Sequence, residues 1–406
     1  MSRYLFSTLS SPGFLYPMIG LAKQLEGLGH GVAFVSDPGT EARLSKEGLA
    51  RITGAQHTRD CFVSSMWYHP LCIALQSKHI EYAVQRFQPD VLVGVQLSFG
   101  PMVARERHAL PLAVLGFSTY LWPAGDADET LREEASSLAR RRWRSEDMMR
   151  VYNEARALIR LPKLEADFSC RPLRGDLLML RSVPELEVAI EHLPNDVHLA
   201  GACLWEDEDE DAELDKWLSG AVESGRPIVY VQHGRFFDHP HFWPHLIEAS
   251  RDMDVCVAAS VDRLDCKPGE VPANFYLRPQ VHQMRILPHA AALVASANST
   301  AVLGALTQGT PALLIPAGGE QPDVAERCKR AGVARVLEAE EVTPERLSAE
   351  LRTLLADRAA KSAAEQMAAA FAPWSGFHIA AALLEELAAR GEVLRQDLVS
   401  EPEYAA

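Results

Sequence analysis

The chain has 406 residues, which is enough for two domains of about 200 residues each. Its hydrophobic fraction of 48% and charged fraction of 23% are typical of a globular protein. The net charge is −15, and basic residues gather only at Arg140–Arg142 with Arg144, which we interpret as a solvated helix face. Nucleic acid and acidic membrane surfaces are therefore excluded as expected partners, since both require a basic footprint.

Compartment and metal content can also be predicted from the composition. No apolar run approaches the roughly 20 residues that a membrane-spanning helix needs, and the N-terminus starts with a predicted strand rather than a signal peptide. The seven cysteines are odd in number and form no CxxC pair, which argues against a disulfide framework and a structural zinc site. We expect a cytoplasmic protein that has neither a metal nor another cofactor.

The first 40 residues predict a strand, a turn, a helix and a second strand. The first strand covers Tyr4–Thr8, and "SSPG" breaks it. The helix "PMIGLAKQLEGLGH" carries an apolar stripe at helical spacing from Pro17 to near Gly29, and "GVAFVS" is the next buried strand. This is a βαβ unit, whose crossover we expect to be right-handed. Two further strands are predicted at residues 90–95 and 112–117.

Composition changes divide the rest of the chain. Residues 127–160 are helical and strongly charged, and the acidic run Glu206–Asp211 predicts an exposed loop or helix start, which places a boundary near residues 192–206. A second α/β half follows, with strands predicted at 227–232, 254–259, 275–277, 292–296, 311–316 and 334–337. Two successive doubly wound domains would turn the carboxyl ends of their strands, and hence their ligand sites, toward each other.

The second half resembles a known family. The segments "PIVYVQHG", "ILPHAA", "GALTQGTPALLIP" and "EQPDVAERCKRAG", in this order and spacing, are similar to the donor half of UDP-glycosyltransferase-like enzymes, especially bacterial ones that modify natural products. The opening "GFLYPMIGLAKQLEGLGHGVAFV" extends the resemblance over most of the chain. It implies the GT-B fold: an N-terminal acceptor domain (1–200), a donor domain (206–380), a cleft between them, and a final helix (381–406) crossing back to the first domain.

The resemblance assigns donor-binding residues. A diphosphate needs backbone N–H groups at a helix N-terminus, and the polar run Ser296, Asn298, Ser299 and Thr300 lies between a predicted strand and helix. A plain helix cap is the alternative interpretation. Ser296 stands where family members usually have a His, and Gly304 stands where they have the Glu that holds the ribose, so ribose recognition must come from elsewhere.

Further donor contacts follow from the same comparison. Glu320 and Gln321 match the acidic–Gln pair that grips sugar hydroxyls, with a solvated loop pair as the alternative. Gly234 and Arg235 occupy the first strand-to-helix turn of the donor half, where the Arg could hold phosphate as a fork. Val281 and Gln283 lie in the segment that corresponds to the part reading the nucleotide base.

The entrance of the chain departs from the family. Its usual catalytic His is replaced by Phe14, and the region of its Asp partner offers Val95 and Gln96. Three interpretations stay open. Another residue, such as His57, Asp60 or His69, could activate an acceptor hydroxyl. Alternatively, the acceptor could react at an electron-rich carbon or a nitrogen, as the apolar residue and "LYP" of some carbon-glycosylating members suggest. Lastly, the chain could be a catalytically silent relative that acts as a binding or auxiliary protein.

These residues predict a metal-independent glycosyltransferase, and the resemblance implies that it inverts the anomeric configuration. It would use a UDP or dTDP sugar as co-substrate and a small, aromatic natural product as acceptor, with Phe14, Trp67, Tyr68 and Phe99 lining the acceptor site. A non-hydrolysing sugar-nucleotide epimerase also has two doubly wound domains, but it would need paired carboxylates that the sequence does not display. A homodimer is compatible with the sequence, which does not identify the sugar, the base or the acceptor.

Overall fold

Contacts divide the chain into two units. The computed structural model describes residues 1–52, 60–123, 135–165, 170–187, 192–207, 209–233, 242–261 and 271–391. Unit 1 consists of Met1–Trp205 and Trp374–Ala406, and unit 2 of Glu206–Pro373.

Unit 1 is built on a six-stranded sheet whose neighbouring strands all run parallel, in the order β2-β1-β3-β4-β5-β6. Its strands are β1 Arg3–Ser7, β2 Gly31–Val35, β3 Val91–Val95, β4 Leu112–Leu115, β5 Leu177–Leu180 and β6 Val197–Leu199. Its first helices are α1 Pro12–Gly27, α2 Glu41–Lys46, α3 Pro70–Phe87, α4 Gly100–His108, α5 Ala135–Leu158 and α6 Arg171–Arg174. The chain crosses from β2 to the other side of β1 at β3, so the point where strand order reverses lies between β1 and β3.

Unit 2 is also built on a six-stranded, all-parallel sheet, and its strand order is β12-β11-β10-β7-β8-β9. Its strands are β7 Ile228–Gln232, β8 Cys256–Ser260, β9 Phe275–Arg278, β10 Ala290–Ala295, β11 Ala312–Leu314 and β12 Ala334–Val336. Its helices are α7 Ala212–Glu223, α8 Phe242–Arg251, α9 Gln283–Ile286, α10 Ser299–Thr307, α11 Gln321–Arg330, α12 Pro344–Ala356 and α13 Arg358–Phe371. This is the Rossmann strand order, with its switch point between β7 and β10.

The last described helix returns to unit 1. Helix α14 (His378–Arg390) packs its apolar face into the core beside α1 and β1, and the Tyr4 hydroxyl donates to the carbonyl of Leu384 over 3.3 Å. Among the described residues, no single helix is long and apolar enough to cross a membrane, although the consecutive segments Arg358–Trp374 and His378–Arg390 pass that test of length and composition as a pair.

The predicted α/β class and its two doubly wound sheets are confirmed, while two local expectations were wrong and two strands were missed. Helix α1 starts at Pro12 rather than at Pro17, because Pro12 occupies its first turn and Pro17 lacks only the N–H that would bond to Gly13. Strands β5 and β6 were not predicted at all. The basic run on α5 is not wholly solvated, since Arg141 and Arg144 are 2% and 5% exposed and Arg144 donates to the carbonyl of Leu121.

Candidate functional site

The switch point of unit 2 brings two strand ends together. Strand β7 ends at Gln232 and β10 ends at Ala295, which is paired with Gln232 in the ladder. Beyond this pair, the side-chain amide of Asn298 donates to the carbonyl of Gln232 over 3.4 Å. His233, the first residue after β7, is buried and stacks on Phe242 with ring centroids 3.8 Å apart. In open α/β sheets, ligands bind outside the carboxyl ends of the strands at such a point.

Helix α10 begins at this point and presents its N-terminus. Asn298 is the N-cap, and its side-chain oxygen accepts from the N–H of Ala301 over 3.0 Å. The N–H groups of the first turn have no partner within a helix, so they form a region of positive partial charge that attracts anions. Ala297 enters the turn at φ 63°, in the left-handed region that favours glycine. Ala297 therefore makes this turn in a backbone conformation that glycine adopts more easily.

Ser296 and Gly304, the two residues that replace family residues, both lie inside unit 2. The Ser296 side chain is fully buried. At Gly304, an added Cβ would lie 2.9 Å from Leu287 and 3.0 Å from the Gln283 amide nitrogen. The amide of Gln283 also donates to the carbonyl of Thr300 over 3.4 Å. Gln283 thus occupies the space beside α10 that a longer side chain at 304 would need.

The segment that would read the base is held by the acidic run. The Glu206 carboxylate accepts from the N–H groups of Gln283 (3.1 Å) and Met284 (3.0 Å), and so caps α9. His282 lies 3.5 Å from the carboxylate of Asp207. Val281, which directly precedes these three residues, is buried. Burial also raises the pKa of the Glu206 carboxyl above its ordinary value. Sequence reasoning treated this run as an exposed loop or helix start and missed its role in positioning Gln283.

Glu320 and Gln321 lie at the N-terminal end of α11, after β11. Gln321 is 6% exposed, and its side-chain oxygen accepts from the N–H of Ala317 over 3.0 Å. This bond fixes the loop between β11 and α11 and leaves the amide nitrogen of Gln321 to act as a donor. Glu320 is partly exposed and is the N-cap residue of α11, although its side chain makes no cap bond.

At the switch point of unit 1, Phe14 covers a small cavity. Phe14 is half-buried near the start of α1, and its ring meets that of Phe117 edge-on with centroids 5.9 Å apart. The cavity lies at the carboxyl ends of β3, β4 and β5, is also lined by Gln96 and Arg181, and encloses about 10 Å³. The sequence showed Val95 and Gln96 in the region where the family has its Asp, but it did not identify Arg181.

The other predicted acceptor residues form one aromatic group in unit 1. Trp67 meets Tyr68 at 5.0 Å and Phe99 at 6.1 Å between ring centroids. Phe99 is fully buried, so it supports Trp67 from below instead of presenting a face of its own. The Tyr68 hydroxyl donates to Asp147 and accepts from Arg150, both on α5. Helix α5 therefore fixes the orientation of Tyr68.

The predicted catalytic candidates show no common geometry. Asp60 is exposed, and its backbone has φ 80°. His69 is the exposed N-cap residue of α3, and its side chain makes no cap bond. His57, Gly234 and Arg235 lie outside the described residues. Within the part of the chain that the structure describes, no three His, Cys, Asp or Glu side chains gather as a metal site would require.

Comparison with protein families gives one match. Residues 245–382 match the C-terminal domain described as erythromycin biosynthesis protein CIII-like. The chain is 26% identical over 374 residues to 4'-demethylrebeccamycin synthase of Lentzea aerocolonigenes, covering 82% of this chain and 86% of that protein. It is also 30% identical over 145 residues to the NDP-glycosyltransferase YjiC of Bacillus subtilis (strain 168), covering 35% and 37% of the two chains.

Solved structures show the same architecture. The calicheamicin glycosyltransferase CalG4 superposes with a TM-score of 0.72 at 19% identity, covering 96% of this chain and 99% of that one. The glycosyltransferase VinC, solved in complex with dTDP, gives a TM-score of 0.70 at 21% identity and covers 96% and 100% of the chains. Identities this low establish the fold alone, which is the GT-B arrangement of two Rossmann-like domains.

Proposed function

We propose that this chain, a glycosyltransferase of the GT-B fold related to enzymes of antibiotic pathways, moves a sugar from a UDP or dTDP sugar to a small aromatic acceptor. Unit 2 would bind the donor and unit 1 the acceptor. The acceptor atom would attack the anomeric carbon from the side opposite the nucleotide, and the sugar would be transferred with inversion. Holding both substrates in a fixed orientation would provide much of the rate gain.

The turn after β10 carries this proposal. Asn298 bonds to the end of β7 and caps α10, so the first turn of the helix is aimed at the switch point where a diphosphate would lie. As the bond to the sugar breaks, negative charge grows on the diphosphate. Fixed backbone N–H groups at a helix N-terminus stabilise that charge without reorganisation, and we propose that they do so here without a metal ion.

The sugar and the base would be held on either side of this turn. Glu320 can accept from sugar hydroxyls while the amide nitrogen of Gln321 donates to one, and together these groups suit a polyol. On the other side, the backbone of residues 279–283, held by Glu206, would contact the base.

The acceptor in unit 1 would stack against Phe14, and Trp67 would extend the aromatic wall. Neither Phe14 nor the neighbouring Gln96 can remove a proton. We therefore propose an acceptor that needs little deprotonation, such as an electron-rich aromatic carbon or a nitrogen. His57, Asp60 and His69 stay candidates for a base if the attacked atom is a hydroxyl oxygen.

A transfer assay tests the proposal. The purified chain would be incubated with UDP-glucose or dTDP-glucose and a panel of phenols, indoles and naphthols. Release of the nucleotide diphosphate, a hexose added to the acceptor by mass spectrometry, and an inverted anomeric configuration by NMR would support it. Nucleotide binding without turnover on any acceptor would instead favour the silent relative, and retention at the anomeric carbon would contradict the stated mechanism.

A further inference from the structure

Arg181 is a buried cation at the end of β5 in unit 1. Its side chain is 3% exposed, and among the described residues it forms no ion pair. Its Nε donates to the carbonyl of Ala202 over 3.0 Å, while one terminal nitrogen, Nη2, is buried without a hydrogen-bond partner in the described part of the chain. Burial lowers the pKa of this guanidinium to about 10, which leaves it charged at neutral pH.

Gln96, which lines the same cavity, carries a second buried donor. It is 1% exposed, and its side-chain oxygen accepts from the N–H of Phe117 over 3.0 Å. Because a backbone N–H can only donate, this bond fixes the amide orientation, and the amide nitrogen is the group that faces the other way. That nitrogen is buried and has no partner among the described residues.

Both side chains line the cavity beneath Phe14, and its size limits what can occupy it. A volume of about 10 Å³ is enough for a single water or oxygen atom. Gly13, at the rim, is exposed, and Phe14 is half-buried, so the cavity lies close to the surface that an acceptor would reach. Two buried donors, one of them cationic, are complementary to an oxygen that carries negative charge.

We propose that Arg181 and Gln96 bind an anionic oxygen of the acceptor, so that the acceptor is an aromatic acid or an aromatic phenolate rather than a neutral ring. This inference rests on the proposed function, because it concerns the acceptor of the same reaction. A buried charge without a counter-ion weakens a fold. An acceptor anion would supply that counter-ion, which gives the chain a functional reason to keep Arg181.

Binding of a simple aromatic acid tests this assignment. Benzoate and its neutral analogue benzamide would be titrated into the full chain by calorimetry. We expect wild type to bind benzoate at least tenfold more tightly than benzamide, and the Arg181→Gln variant to lose this preference. Arg142→Gln removes the same charge from an exposed position of α5 and should keep the wild-type preference.

A second variant covers the case in which Arg181→Gln fails to fold. Gln96→Glu places a carboxylate beside the guanidinium, so it should raise the melting temperature and abolish benzoate binding. Equal affinity of wild type for both ligands, no saturable binding of benzoate, or a preference that survives in either variant would overturn the proposal and leave a buried water as the occupant. Titration of UDP and dTDP into the same samples separates the outcomes, since failure of nucleotide binding counts against the proposed function instead.

Discussion

Near the start of α1, the half-buried ring of Phe14 meets the ring of Phe117 and closes one side of the cavity in unit 1. In the UDP-glycosyltransferase-like family that the chain resembles, this position usually holds a catalytic His. An imidazole here would have no orienting carboxylate, because β3 ends at Val95 and is followed by Gln96. Such a side chain has neither a fixed tautomer nor a fixed direction.

We therefore expect Phe14→His to transfer sugar more slowly than wild type. Phe14→Tyr should be nearly normal. Phe14→Ala should weaken acceptor binding by about tenfold or less, since an aromatic pair is worth about 0.5–1.5 kcal/mol. Steady-state rates on an acceptor found by the transfer assay provide the measurement. A His variant that is faster than wild type would show that Phe14 has no positive role.

Ala297 contributes strain to the donor turn. A non-glycine residue in the left-handed region costs about 1–2 kcal/mol of stability, which a glycine would recover. The greater entropy of glycine in the unfolded state reduces that gain by about 0.4–1 kcal/mol. We expect Ala297→Gly to raise the free energy of unfolding of unit 2 by about 0.5–1 kcal/mol. Denaturant titration provides the measurement, and Ala305→Gly, inside α10, should lower the same quantity by about 1 kcal/mol or more. Destabilisation by Ala297→Gly would mean that its methyl group, which is fully buried, outweighs the backbone strain.

At the scale of elements, Glu206 ties the start of unit 2 to α9. Its carboxyl pKa is raised by burial, so the folded state holds the proton more firmly than the unfolded state does. The resulting stability is fully present below the ordinary pKa of 4.5 and is lost as the pH rises through the folded value.

Glu206→Gln should remove this part of the pH dependence. From pH 4.5 upward, the free energy of unfolding of wild type should fall relative to that of the variant, as measured by denaturant titration at a series of pH values. Glu223→Gln, at an exposed position of α7, serves as the control and should keep the wild-type profile. A difference between wild type and Glu206→Gln that does not change with pH would contradict the account.

Prediction from the sequence worked best for elements with strong local patterns. The central strands β3, β7 and β10 are apolar runs bounded by turn residues, and Asn298 stands at a recognisable cap position. Strand β5, "LLML", has four residues and none that is β-branched, so nothing local distinguishes it from a helix segment. Because that strand was missed, Arg181 was missed as well; only the sheet shows that it lies at a strand end near Gln96.

At the scale of the molecule, each unit is a parallel sheet whose strand order reverses once. The switch points lie at β1 and β3 in unit 1 and at β7 and β10 in unit 2. Local sequence patterns predicted all six strands of unit 2 and four of the six in unit 1, but not their spatial order, which depends on crossovers between distant segments. The resemblance to a family implied two doubly wound domains in advance, without the order of their strands, and it also suggested the residues of the donor turn. It could not suggest the contacts of Glu206 or Gln283, whose positions depend on packing that is particular to this chain.

The central claim is that a nucleotide diphosphate binds at the N-terminus of α10. Asn298→Asp tests it most directly, because aspartate keeps the N-cap bond to Ala301 but places a negative charge where the diphosphate would lie. Asp357→Asn makes the reverse exchange at the N-cap of α13 and serves as the control.

Calorimetric titration of UDP and dTDP into wild type and both variants, with melting temperatures recorded on the same samples, is the deciding measurement. We expect at least one of the two nucleotides to bind wild type, with an affinity at least tenfold lower in Asn298→Asp, a loss of about 1.4 kcal/mol or more, and unchanged in Asp357→Asn. Nucleotide binding that is equally tight in a folded Asn298→Asp variant, or absent from wild type, would contradict the account.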